Sequence, residues 1–533
     1  MHASRSTYDY IVIGGGSAGC VLASRLSEDP DSRVLLLESG RDIRDVLLRV
    51  PALASINLHR RDRIWPYVTT PQRGLSERSL ATPRGRLLGG TSAINGMVYL
   101  RGHAGDYDRW AREGADGWDY ASVLPFFRKS ERFLGPMSPF RGGEGPMPVT
   151  PRRRLEPLSE AFIAACLEAG IRQTHDANGA DQEGVAPSDL TTLRGRRMSS
   201  AYAYLTDEVR RRSNLTIRTR CLVTGIRLDR MSARTVDFVS SGTLTSATCA
   251  REIILAAGAI NSPQLLMLSG IGPSEWLTKV GIKTLVEAPQ VGRNLQDHLA
   301  VDISFLSTSL PSLNARLMNP VYAIPAALAW ILGSDSRLGT NGFEVGAMLK
   351  SSQGLSQPDI QCMFIPVAKN LLKPRWNAMG FTLSIGPGTI ESRGTVRIES
   401  ADPRRPPAID PNYLAEDIDL ARACEAVEIG FSISDQPALR RTRGRLLTPS
   451  ERPTSRTSRE AIVRSKAFGC YHLSGSCRMG SEETGVVDPQ GRIYGVDGLR
   501  VCDASIMPSI PNANLNASII MMAEKIAADI CRV

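Results

Sequence analysis

Residues 8–28 read YDYIVIGGGSAGCVLASRLSE, and the order of chemistry along them decides the fold. The apolar run Tyr10–Ile13 predicts a buried strand, Gly14, Gly16 and Gly19 follow as G-x-G-x-x-G, and Val21, Leu22 and Leu26 repeat at helical spacing. A second apolar run, RVLLLESG at 33–40, ends in the acid Glu38. Strand, glycine turn, helix and acid-terminated strand make a βαβ dinucleotide-binding unit. Gly14 permits the tight turn, Gly16 lets backbone approach a pyrophosphate, and Gly19 lets helix and strand pack closely. With Gly15, Ser17 and Ala18, the loop sets a helix N-terminus against phosphates. Glu38, followed by Ser39, is placed to accept hydrogen bonds from a ribose. The motif alone does not separate NAD from FAD.

Two more segments repeat the strand, turn and helix order. REIILAAGAINSPQLLMLSGIG (251–272) is an apolar strand, then Ala257-Gly258, then a helix opening near Ser262-Pro263. GLRVCDASIMPSIPNANLNASIIMMAEKIAADI (498–530) passes from a strand through Asp503 and a Pro-rich loop into a helix bearing Ile519, Met522, Ile526 and Ile530. These units come from the start, middle and end of the chain, so one sheet built from them is discontinuous. Residues 300–465 differ: short alternating stretches (FTLSIGPG, GTVRIES) sit among loops such as ADPRRPPAIDP, predicting antiparallel sheet with flanking helices. The expected architecture is α/β, with a Rossmann-like dinucleotide domain from 1–150, 191–300 and 466–533. An α+β substrate domain with a mostly antiparallel sheet takes 151–190 and 301–465.

A chain of 533 residues is long enough for two domains. Hydrophobic content of 42% and charged content of 22% are ordinary for a globular protein. The net charge of +10 comes largely from arginines in short clusters, 152–154, 194–197 and 210–212, without the aromatic-interleaved stripe of a nucleic-acid binder. Ten cysteines stand singly, several in apolar runs (Cys166, Cys362, Cys424), which fits reduced thiols in a cytoplasm. No C-x-x-C occurs, and GCYHLSGSCRMG (469–480) lacks zinc-site spacing, so no metal is expected. The amino terminus lacks the apolar core of a signal peptide. VYAIPAALAWIL (321–332) is too short to span a membrane and is interrupted by Pro325, so a buried or interfacial helix is expected, with peripheral membrane contact left open.

RGRLLGGTSAINGMVYLRGH (84–103) resembles the first signature of the glucose–methanol–choline (GMC) oxidoreductases, flavoproteins that oxidise alcohols, and GAINSPQLLMLSGIG (258–272) resembles the second. GWDYASVLPFFRKSE (117–131), RMSSAYAYL (197–205), VGRNLQDHL (291–299), YHLSGSCRMG (471–480) and DASIMPSIPNANLNAS (503–518) carry the resemblance across nearly the whole chain, nearest the bacterial choline dehydrogenase and hydroxymethylfurfural oxidase type. The resemblance implies FAD held extended. Gly14–Gly19 and Glu38 match ADP-binding positions. Leu88, Gly89, Gly90, Thr91 and Ser92, with Asn95, Gly96, Met97 and Val98, match the segment along the pyrophosphate and isoalloxazine. Val223 matches a residue at the adenine, Asp503 and Ala504 the ribityl chain, and Asn514, Leu515 and Asn516 the flavin's pyrimidine side. Ala257, Gly258 and Tyr471 complete the implied cofactor set. The flavin-linking histidine of some members has no match in Ser92-Ala93-Ile94-Asn95, so the FAD is expected to be noncovalent.

Oxidation of an alcohol by a flavin moves a hydride from the α-carbon to N5 and a proton from the hydroxyl to a base, a task histidine suits. By resemblance His472 is that base, and Asn516 is the partner that is His or Asn across the family, its amide donating to the alkoxide-like oxygen. Read from the residues alone, a turn cap for His472 and a helix N-cap for Asn516 stay open. Cys470 and Cys477 read as small packing residues. Leu473 stands where the family commonly has Pro, and Gly475-Ser476 where it has Gly-Thr. His103 and His298 fall on family landmarks where structural roles suffice. Glu344 and Phe343, in NGFEVGAML (341–349), are the substrate candidates, with a structural ion pair the competing reading of Glu344. Tyr322, Trp330, Phe343 and Phe364 are the candidate aromatic wall. The expected activity is FAD-dependent oxidation of a primary alcohol to an aldehyde, with O2 or a quinone-type molecule as acceptor. The alternative on this scaffold is a hydroxynitrile-type lyase or a light-driven decarboxylase.

Overall fold

The opening strand, Thr7–Ile13, lies inside a seven-stranded sheet of the computed structural model, which describes residues 7–333, 336–369 and 379–532. Val34–Leu37 and Thr243–Leu255 flank it in parallel, and Leu215–Arg218 and Leu499–Val501 extend the parallel array outward. Strands 221–229 and 232–240 complete the sheet as an antiparallel extension. Strand Val34–Leu37 and the second half of Thr7–Ile13 are buried on both faces, which is why their sequences are continuous apolar runs rather than alternating ones. Register aligns Ile13 with Leu37 and Leu255, and Leu255 with Val501. Their carboxyl ends therefore share one edge, where open parallel sheets bind ligands. The helix after the middle strand begins at Gly258, so Pro263 lies inside it rather than at its start.

A second, antiparallel sheet has the strand order 443–448, 299–307, 380–387, 360–365, 345–349 and 184–187, with Phe468-Gly469 pairing Leu299-Ala300. Helices Pro157–Glu168 and Asp417–Asp435 pack on one face. Period-two alternation sorts strand 360–365 cleanly: Ile360, Cys362 and Phe364 enter the core, while Gln361, Met363 and Ile365 face a cavity. Phe364 stacks on Phe162 at 4.6 Å and belongs to the core, not to the substrate wall.

Helix Pro320–Ile331 buries Ala326 and Trp330 and turns Val321, Ile324, Leu328 and Ile331 outward. Tyr322 is exposed on it, and Trp330 donates its ring N–H to Gly195 O, so neither lines the cavity. No helix among the described residues is long and apolar enough to cross a membrane.

Candidate active site

A cavity of about 1030 Å³ runs from the edge of the parallel sheet to the open face of the antiparallel one. At its first end stand Gly14, Gly16, Ser17, Ala18, Glu38, Ser39 and Val223. Gly14 adopts φ +102°, and a Cβ there would meet Ala256 O at 2.5 Å. A Cβ on Gly16 would meet nothing nearer than Ala256 O at 3.8 Å, so this backbone is bare toward the cavity. Helix Ser17–Leu26 starts there with no side-chain cap on its first amides. Gly15, Gly19, Leu88 and Gly89, expected among the cofactor contacts, are not in the wall and support the loop from behind. Gly15 N donates to Glu38 Oε2 and Gly89 N to Gly15 O, Leu88 packs behind Gly15, and a Cβ on Gly19 would strike Gly14 O.

Farther along, Gly90, Thr91 and Ser92 pass the glycine loop; a Cβ on Gly90 would lie 2.7 Å from Gly16 Cα. Asn95, Gly96, Met97 and Val98 form the next stretch of wall, facing Ala257, Gly258, Asp503, Ala504, Asn514 and Leu515. Asp503 is spent within the protein, accepting from Gly258 N at 2.8 Å, Ser262 Oγ at 2.6 Å and Ser505 N at 2.8 Å. Uncapped helix amides, a bare glycine backbone and a strand-end carboxylate are the donor and acceptor set of an extended dinucleotide, and the volume is at the top of the usual range of about 300–1,000 Å³.

His472 lies at the far end. Its Nδ1 is 2.8 Å from Nδ1 of His298, whose Nε2 is 3.0 Å from Gly388 O. A carbonyl can only accept, so His298 carries its proton on Nε2. Burial pushes His298 down to about 4, which keeps it neutral with a bare Nδ1. That nitrogen must accept from His472 Nδ1–H, leaving Nε2 of His472 as the acceptor. Burial, with the Arg84 guanidinium nearby, holds His472 well below its ordinary value and therefore neutral. The Nε2 lone pair faces Asn514 Nδ2 at 3.2 Å, and Asn514 Oδ1 accepts from Gln361 Nε2 at 3.2 Å.

Here the geometry corrects the pairing read from the sequence. Asn514 is the amide at His472, whereas Asn516, one turn position into helix Leu515–Cys531, accepts from Ser17 Oγ at 2.8 Å. Both line the cavity, but two residues of helical rotation send them to different ends of it.

The loop carrying His472 is fixed at several points. Asp297 Oδ1 accepts His472 N at 2.5 Å and Oδ2 accepts Tyr413 Oη at 2.6 Å. Burial pushes the Asp297 carboxyl up to about 6, against the pull of Tyr413 and Arg84. Arg84 donates to Tyr471 O, where the backbone takes a left-handed φ of 65°. Ser476 Oγ donates at 2.6 Å to Ala259 O, the carbonyl that Pro263 cannot serve. Cys470 lines the cavity with its thiol held protonated by burial, and Cys477 is buried in the core. Among the described residues no three His, Cys, Asp or Glu side chains converge as a metal set.

Glu344 is displaced from its expected substrate role. It is buried outside the cavity wall, pairing with Arg152 at 3.2 Å and accepting from Glu156 N, Ser159 Oγ and Thr340 Oγ1. Its neighbour Phe343 does line the cavity, against Gly96. Asp297, His298, Arg84 and Tyr413 were missed as site residues. His298 stood in the quoted VGRNLQDHL, but nothing in a single sequence shows that it meets His472.

Models of the GMC oxidoreductase family match residues 8–300 and 391–523. The chain is 42% identical to the mitochondrial choline dehydrogenase of Mus musculus, across 99% of this chain and 90% of that one. It is 40% identical to an oxygen-dependent choline dehydrogenase of Photobacterium profundum, across 98% and 92%. The chain belongs to the GMC oxidoreductases. Among solved structures, pyridoxine 4-oxidase from Mesorbium loti superposes with a TM-score of 0.90 at 32% identity, covering 99% of both chains. Formate oxidase from Aspergillus oryzae, described with its FAD, superposes with a TM-score of 0.93 at 25% identity and the same coverage. As a GMC oxidoreductase this protein is an FAD-dependent alcohol oxidoreductase, and its cofactor is FAD.

Proposed function

We propose that the protein oxidises a primary alcohol to an aldehyde, with His472 Nε2 taking the hydroxyl proton. The observation that carries this is the tautomer chain from Gly388 O through His298 to His472, which leaves Nε2 bare and aimed at Asn514. Bound FAD would supply the hydride acceptor for this step and the route for the electrons to O2 or a quinone-type acceptor. A substrate hydroxyl placed between the two groups donates to Nε2 and accepts from Asn514 Nδ2. The 3.2 Å contact between them is long enough to be exchanged for those two bonds. As the proton leaves, the amide holds the negative oxygen without a second titrating group. The apolar residues Phe343, Met363, Ile365 and Phe468 exclude water from the far end.

Relatives named as choline dehydrogenases and a structural neighbour named as pyridoxine 4-oxidase support a hydroxymethyl or hydroxyethyl donor. We assign residues 1–150, 191–300 and 466–533 to FAD binding, and 151–190 and 301–465 to the substrate domain. The cofactor is noncovalent, so acid precipitation releases FAD into the supernatant. We assign the protein to a reducing compartment, the cytoplasm, a reading that its free cysteines support. The deciding experiment is anaerobic mixing with aliphatic, aromatic and amino alcohols. Bleaching of the flavin supports the proposal, and an unreduced flavin across the whole panel ends it. Admitting air then separates the acceptors: rapid reoxidation means O2, and slow reoxidation means a quinone-type molecule.

A further inference from the structure

We infer that Lys369 sets the substrate class, favouring alcohols that carry an anionic group such as a carboxylate and disfavouring quaternary ammonium alcohols. This rests on the alcohol-oxidation reading above. Among the described residues the cavity wall holds two carboxylates, Glu38 and Asp503, both at the cofactor end and both answered by backbone amides. None lies at the His472 end, where a substrate cation needs one. Lys369 occupies that end instead. Its Nζ sits 5.8 Å from the Phe343 ring centroid and 5.9 Å from that of Phe468, and both rings line the cavity. A cation bound over aromatic faces within about 6 Å is the arrangement that receives a quaternary ammonium. Here the protein's own ammonium fills it, so a substrate cation loses the ring faces and meets a like charge.

The partner of Lys369 lies behind it. Asp302 Oδ2 is 3.5 Å from Nζ, its side chain is 8% exposed against 33% for the lysine, and it is absent from the cavity wall. An ammonium has three N–H donors, and one long contact to Asp302 leaves the others for a ligand. The second permanent cation in the wall, Arg84, donates to Tyr471 O and Thr82 Oγ1 and lies near the Asp297 carboxylate. Among the described residues the far end thus presents the Lys369 ammonium beside Phe343, Phe468 and the neutral His472.

The test pairs alcohols that differ in charge, using the FAD-loaded protein. Expected are a higher kcat/KM for 3,3-dimethylbutan-1-ol than for choline, and a higher one for 4-(hydroxymethyl)benzoate than for benzyl alcohol. Lys369→Met should erase the second preference by lowering the value for 4-(hydroxymethyl)benzoate far more than that for benzyl alcohol. Calorimetric binding of two inert probes gives a reading without turnover. In Lys369→Met benzoate should bind on the order of 10–100-fold more weakly, and tetramethylammonium should bind more tightly because the like charge is removed. Choline outperforming its neutral isostere in the unmodified protein overturns the inference and needs no variant. Equal loss for every ligand in Lys369→Met overturns it too, since the lysine then serves only its pair with Asp302. If no alcohol reduces the flavin while benzoate binding still depends on Lys369, the oxidation reading fails and the anion site stands.

Discussion

Replacing His298 by alanine tests the chain of tautomers directly. In the native site His472 Nδ1–H has a buried acceptor at 2.8 Å, and that bond is what keeps Nε2 deprotonated. Without it a buried N–H is left unpaired, at a penalty of about 1–3 kcal/mol. Moving the proton to Nε2 relieves the penalty, because Nε2–H reaches the cavity and its substrate hydroxyl. The catalytically competent tautomer then falls to a minority, and flavin reduction at saturating alcohol should slow by about 5- to 150-fold. The deficit should be the same at pH 7 and pH 9, because it is a ratio of neutral tautomers rather than a protonation. His298→Gln, whose Oε1 can accept, should recover part of the rate. The assay is anaerobic stopped-flow reduction, with FAD content measured alongside. An unchanged reduction rate in FAD-replete His298→Ala, or a deficit that disappears at high pH, refutes the reasoning.

The two asparagines should separate in the same assay. Asn514→Ala should slow flavin reduction on the order of 10–100-fold, the scale of a hydrogen bond to a developing charge, whereas Asn516→Ala, which loses the Ser17 bond, should weaken FAD retention and leave the rate of the loaded enzyme intact. Gly16→Ala should have low FAD content while its FAD-free form melts as the FAD-free native protein does, because its Cβ meets only the cofactor space, while Gly19→Ala should lose stability outright against Gly14 O. Glu344→Ala strands Arg152, whose side chain is 9% exposed, and should destabilise the fold by about 3–5 kcal/mol in chemical denaturation, with alcohol selectivity unaltered; altered selectivity in a stable variant would restore a substrate role. The pH dependence of stability follows from opposed shifts. The histidines bind protons in the unfolded chain near pH 6.5 but only far lower when folded, so their contribution is present above about 6.5 and lost as pH falls toward 4. Asp297 protonates near 6 when folded and near 3.9 unfolded, so acidification through that window stabilises it. Asp297→Asn should therefore steepen the decline of Tm between pH 6.5 and 4, and a shallower decline contradicts the assignment.

The cofactor end of this protein was legible in the sequence because local rules govern it. A parallel strand buried on both faces must be a continuous apolar run, and a turn that places Gly14 at positive φ and Gly19 against Gly14 O must be glycine. Those constraints act within about twenty residues of each other, so residues 8–28 carry them openly. The same locality made the expectation of three strand, turn and helix units sound. The far end of the cavity was not legible, for two physical reasons. Side-chain direction along a helix start changes with each residue, so a motif that contains Asn514 and Asn516 does not say which amide meets His472. The partners of His472 come from elements distant along the chain, His298 beside the strand that pairs with Phe468-Gly469, and Gly388 at the end of its neighbour. Glu344 reads identically in sequence whether it faces a substrate or Arg152, and strand pairing put it against Arg152. Sequence carried the glycine loop and strand-end acid of the cofactor cradle, and by resemblance it brought His472 forward as the proposed base. Tertiary structure decided the tautomer of His472, its amide neighbour and which charged side chains line the cavity, because those depend on groups brought together only when two sheets close on one cavity.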